Sequence, residues 1–140
     1  MSFDIIGGNT NKKNTTIRKI VFAGDSLTDN SYEGSIFAGF RVANQWFNWT
    51  NIVSRDLCLD MMNTGIAGDT VQNMATPENI QSRILQYNPS NVIINGGVND
   101  ANAGRTASQI VADMTTIITT LLNNNIKVLL LWFPINYNYV

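Results

Sequence analysis

The strongest constraint on the fold lies between Asn91 and Phe133. Two apolar runs, Asn91-Val92-Ile93-Ile94-Asn95 and Ile126 to Phe133, bracket a stretch whose apolar residues recur at helical spacing. Ile110, Val111, Met114, Ile117, Ile118, Leu121 and Leu122 form one stripe. That stripe predicts an amphipathic helix of about four to five turns over 106–123. Thr106 with Gln109 matches a capping box at its start. Asn123-Asn124-Asn125 can end it, because Asn tolerates the left-handed conformation. A strand, a long helix and another strand in succession favour parallel pairing, which needs a crossover rather than a hairpin. The wholly apolar run 126–133 predicts a strand covered on both faces, stopped by Pro134.

The same alternation runs through the rest of the chain. Ile20 to Ala23 is β-branched and aromatic and predicts a buried first strand, cut short by Gly24-Asp25-Ser26. Leu59 to Asn63 predicts a second strand, followed by the turn-rich segment Asn63 to Thr70. Thr76 caps a helix with Pro77 at its first position and Ile80, Ile84 and Leu85 on its apolar face to about Tyr87, before Pro89. Trp49, Ile52, Val53 and Leu57 predict a further helix around 44–57, with Trp49 packed in the core. The expected class is α/β with a parallel sheet. In such a sheet the carboxyl ends of the strands share one edge, where ligands bind. Ser26, Gly68 and Asn99 each follow a predicted strand and are therefore expected at that edge.

Composition narrows the functional classes. The chain has 140 residues, 44% hydrophobic and 14% charged, with a formal net charge of −1. This fits one domain over 18–140 behind a polar, flexible arm at 1–17. It offers no basic footprint for nucleic acid. The longest apolar stretch, 126–135, is interrupted by Lys127 and is shorter than the roughly 20 residues of a membrane span. The amino-terminal segment lacks the continuous apolar stretch of a signal peptide, so the expectation is a soluble protein. We read no metal site and no cofactor. The single cysteine, Cys58, lies between two leucines and is expected to be a buried structural thiol. The chain contains no histidine, the usual general base at neutral pH.

Gly24-Asp25-Ser26 has two readings. It is either an ordinary turn or a serine held with its hydroxyl exposed at a strand end. Tyr32, Phe37 and Phe40 follow closely and are candidates for a pocket wall. Taken with Asn63-Thr64-Gly65-Ile66-Ala67-Gly68-Asp69-Thr70 and Gly97-Val98-Asn99-Asp100, the stretch resembles the first three of four blocks of the GDSL, or SGNH, hydrolases. The resemblance covers roughly 19–134, including Trp49 to Leu57 as the first helix. It implies a flavodoxin-like three-layer α/β/α sandwich and a serine acylhydrolase: an esterase, lipase, thioesterase or carbohydrate deacetylase. Ser26 is then the nucleophile, and the Ser26 and Gly68 N–H groups and the Asn99 amide form an oxyanion hole. The implied substrate is a small acyl ester or an acylated glycan. Asp25 and Asp100 are expected to brace their turns. The family's fourth block, Asp-x-x-His, is not found. The resemblance thus implies about three quarters of the fold, C-terminally truncated, with an open sheet edge for a missing segment or a protein partner. The alternative reading is an inactive SGNH-like binding or structural module.

Overall fold

The computed structural model describes residues 19–29 and 48–131. Four strands, β1 (Lys19–Ala23), β2 (Asp60–Asn63), β3 (Asn91–Asn95) and β4 (Lys127–Leu131), pair in parallel in the order β2-β1-β3-β4. The register places Val21 beside Met62 on one side and Val92 on the other, with Val92 beside Val128. Among the described residues, five α-helices accompany them: α1 (Trp49–Asp56), α2 (Val71–Met74), α3 (Pro77–Arg83), α4 (Val98–Asn102) and α5 (Ala107–Asn123).

Strand side chains alternate between faces, and the two faces pack differently. Val21, Ala23, Val92 and Ile94 point to one face. They share a core with Val71 and Met74 of α2, Ile80 of α3 and Ile110, Met114, Ile117 and Leu121 of α5. On the other face Phe22, fully buried, meets Trp49 of α1 edge-on, with ring centroids 5.2 Å apart. Helices therefore cover the sheet from both sides, which makes the three-layer α/β/α arrangement. Trp49, expected in the core, is only half-buried, and its indole N–H donates to Leu27 O at 2.7 Å.

Local signals place the helix ends. Thr106 and Gln109 form the reciprocal capping box of α5, and Asn125 leaves it in the left-handed conformation at φ 59°. Thr76 caps α3, with Pro77 in its first turn. A 3₁₀ turn at Leu85–Tyr87 follows, and left-handed Asn88 ends it.

Three more expectations are corrected. β4 is not covered on both faces: it is the outer strand of the described sheet, and Leu129 is 54% exposed. A continuous apolar run marks a strand, but coverage depends on the elements beside it. Ile20, Leu57, Leu59, Ile93, Val128 and Leu129 line an open groove of about 250 Å³. Second, α1 begins at Trp49 rather than near residue 44. Asn48 has extended backbone and caps the helix, its side chain accepting from the Thr50 N–H at 2.9 Å. The side chains that α1 buries are Thr50 and Ser54, whereas Leu57 is exposed. This polar face is satisfied internally: Ser54 donates to Thr50 O, and Asn63 donates to the Thr50 hydroxyl. Third, Cys58 is exposed, because it occupies the left-handed exit turn between α1 and β2 at φ 50°.

Candidate active site

Ser26, Gly68 and Asn99 follow β1, β2 and β3. These strands are parallel neighbours, so the three loops rise from one edge of the sheet. Lys19 and Lys127 begin β1 and β4 at the opposite edge.

The loop after β1 is a tight turn. Thr28 and Asp29 donate to Asp25 O at 3.0 and 2.9 Å. The buried Asp25 carboxylate accepts from the Leu27 N–H at 3.0 Å, bracing its own turn, and from the Asn95 amide at 3.2 Å. Asn95, the last residue of β3, also accepts from the Thr28 hydroxyl. Its amide thus grips the turn on either side of Ser26. Gly24 leaves room for that amide, since a Cβ there would lie 1.7 Å from Asn95 Oδ1. Ser26 itself is half-buried. No carboxylate or amine among the described residues is hydrogen-bonded to its hydroxyl.

The loop after β2 lies against this turn. Ile66 donates to Gly24 O at 3.0 Å, and Ala67 donates to the Asp29 carboxylate at 2.9 Å. Gly68 is exposed and left-handed at φ 79°, a conformation that favours glycine. Neither the Ser26 nor the Gly68 N–H is hydrogen-bonded to another described residue.

Asn99 lies in the first turn of α4 and donates through Nδ2 to Asp69 O at 2.7 Å, which ties the third loop to the second. A side-chain amide carries two hydrogens, so one donor remains. Asp100 differs from the expectation. It is fully buried, and its carboxylate reaches across to the N–H groups of Val71 and Gln72 at 2.7 and 3.3 Å, at the start of α2. It also pairs with Arg105 at 2.6 Å. Asp100 and then Asp113 hold the Arg105 guanidinium above its ordinary value.

Sequence reasoning missed Arg83. It is buried at the end of α3, pairs with Asp69, and donates to Thr64 O at 2.7 Å and to Gly24 O at 3.1 Å. No spacing rule finds it, because its partners lie on other elements. The short helices α2 and α4 were also not anticipated. Tyr32, Phe37 and Phe40 lie outside the described residues. Among the described residues, no three acidic, thiol or imidazole groups cluster as a metal site would require. No described helix is long and apolar enough to cross a membrane.

The arrangement combines a serine, two backbone donors and a neutral amide donor at one edge. These are groups that can receive a carbonyl oxygen gaining negative charge. The sequence profile described as the GDSL-like lipase/acylhydrolase family matches residues 22–139. Several solved structures share the fold. One, from Desulfitobacterium hafniense and described as a lipolytic protein of the G-D-S-L family, has a TM-score of 0.67 at 21% identity, over 81% of this chain and 58% of its own. The esterase EstA from Pseudoalteromonas sp. aligns with a TM-score of 0.64 at 21% identity, over 86% of this chain and 63% of its own. The acetyl xylan esterase AlAXEase aligns with a TM-score of 0.55 at 25% identity, over 80% and 56%. The chain therefore spans less than two thirds of the length of each of these three proteins. No curated protein matches it significantly.

Proposed function

The chain belongs to the GDSL-like lipase/acylhydrolase family, and on that premise we propose that its sheet-edge site binds acyl esters and carries out acyl transfer to Ser26. The observation that carries this reading is the hydrogen-bonded junction of the loops bearing Ser26, Gly68 and Asn99, with Ile66 N–H on Gly24 O and the Asn99 amide on Asp69 O.

Ser26 Oγ attacks the ester carbonyl carbon, and the carbonyl π pair moves onto oxygen. The Ser26 and Gly68 N–H groups and the free Asn99 amide hydrogen stabilise that oxyanion. Collapse expels the alcohol and leaves an acyl-serine, which water then cleaves to acid and free serine. Both attacks need a proton acceptor. No histidine exists among the 140 residues, and a carboxylate is a weak base for a serine hydroxyl. The base therefore comes from outside these residues. By likeness to the acetyl xylan esterase, acetylated glycans are a substrate class of choice.

The lack of histidine favours one second reading, an ester-binding module without turnover. Hydrolysis of nitrophenyl acetate by the purified chain and by Ser26→Ala, with and without added imidazole, separates the two. The acyl-transfer reading expects a low rate in the chain alone, because an oxyanion hole without its base retains only about a thousandfold advantage over water. It also expects a Ser26-dependent gain with imidazole. Asn99→Ala should cut that gain by about a hundredfold. Equal rates for the chain and Ser26→Ala under all conditions would leave the binding module as the better account. Robust Ser26-dependent turnover without imidazole would show that the base lies within the chain.

A further inference from the structure

We propose that Arg83 is a positioning residue that fixes the three site loops relative to one another. The role rests on the acyl-transfer reading above. The clamp is a matter of geometry. One guanidinium, buried under the sheet edge, touches the first loop through Gly24 O at 3.1 Å. It touches the second loop through Thr64 O, at 2.7 Å from Nη2 and 3.2 Å from Nε. It also holds the carboxylate of Asp69, the residue after Gly68. The backbone carbonyl of that same Asp69 accepts the Asn99 amide at 2.7 Å, which brings in the third loop. The Asp69 carboxylate is steadied from its other side by Asn73, whose amide donates to it at 2.7 Å. Every site loop is thus within two contacts of Arg83.

Charge alone does not explain this arrangement. A buried ion pair gives up hydration that offsets much of its attraction, so its value lies in fixed geometry more than in stability. The planar fork of arginine can hold two carbonyls and a carboxylate at set angles, which a lysine ammonium cannot. The carbonyls it holds belong to Gly24, two residues before Ser26, and Thr64, four residues before Gly68. Their separation determines where the serine hydroxyl and the Gly68 donor lie relative to one carbonyl group. A displacement of about 1 Å at such a site costs on the order of a hundredfold in rate.

The test compares three forms of the full chain: unmodified, Arg83→Lys, and Arg83→Met combined with Asp69→Leu. The double variant removes both charges, so no unpaired ion is left in the interior, and its α5 exchange reports whether the fold is kept. Amide hydrogen exchange is followed at Leu27, Ile66 and Ala67, with Ile117 and Leu121 of α5 as references. Nitrophenyl acetate hydrolysis with imidazole is measured in parallel. The expected result is exchange about tenfold faster or more in the loops, with α5 unchanged. The Ser26-dependent kcat should fall by about tenfold or more in both variants while KM holds. Uniform acceleration of loops and α5 would make Arg83 a stabiliser of the whole domain and overturn the proposal. Loosened loops with an unchanged kcat would overturn it too. An unmodified chain with no Ser26-dependent hydrolysis would refute the acyl-transfer reading and the catalytic part of this role together, and the exchange data alone would then decide whether the clamp exists.

Discussion

Two regions of the molecule depart from the rule of apolar inside and polar outside, and they depart in opposite directions. At the carboxyl edge of the sheet, Asp25, Asp69, Arg83, Asn95 and Asp100 are all buried. Among the described residues, every buried side-chain nitrogen and oxygen has a partner. Across the Phe22 face, Leu57 and Leu129 are exposed beside the open groove. The first departure is compensated within the chain, group by group. The second is not compensated by any described element. Buried polar groups are costly unless fully paired, and they are seldom retained without a geometric use. The site edge is therefore where geometry is held tightly, and the groove is where the described fold leaves contact area unused.

Four substitutions break or sharpen this contrast. Asp69→Leu strands the Arg83 charge in the interior and should cost about 3–5 kcal/mol by urea denaturation. A loss below about 1 kcal/mol would mean that Arg83 reaches water, and the site edge would not be the dry, paired region described here. Gly24→Ala drives a methyl group into Asn95 Oδ1 and to 2.5 Å from the Thr28 hydroxyl. Because that amide is held on both sides, thermal melting should report a loss of about 1–3 kcal/mol. Thr106→Ala, at the exposed capping box of α5, serves as a yardstick away from both regions. It should cost about 1 kcal/mol, and a cap as costly as Gly24→Ala would erase the distinction between paired interior and surface. Leu129→Glu should change stability by no more than about 0.5 kcal/mol while lowering self-association in light scattering. A destabilisation comparable to that of Gly24→Ala would show the groove to be covered in solution.

The frame of the fold was legible because it rests on local signals. β1 and β3 are legible as β-branched runs, β4 as a continuous apolar run, and α5 as seven apolar residues at helical spacing between a capping box and an asparagine stop. The residues of the candidate site were legible as types in order, each after a strand. What holds them was not. Arg83 reads as one more charge on a short helix, yet it meets Gly24 after β1 and Thr64 and Asp69 after β2, on two other stretches. Asn95 reads as the polar end of a strand, and only the parallel register brings it against Asp25 and Thr28. Cys58 and α1 mislead for a related reason. Flanking leucines suggest burial, and only the backbone turn at Cys58 and the hydroxyl network of Thr50 and Ser54 decide which side faces inward. Periodicity reports on one element at a time, whereas burial is settled between elements.

The strand order has a consequence in time as well as in space. β1 is the first described strand, yet it lies between β2 and β3. Ile20 pairs in register with Asn91, about 70 residues later. At a synthesis rate of ~5–20 residues per second, β1 waits roughly 4–14 seconds for that neighbour. Val21 and Phe22, which end with no exposure, spend that interval without half of their final surroundings. The β3–α5–β4 unit, by contrast, closes over about 40 residues through one long helix, and contacts of short sequence separation form fastest. The β3–α5–β4 unit, although made after β1, is thus positioned to organise first and to receive β1 as an inserted strand. Folding of the described sheet should accordingly be limited by the capture of β1.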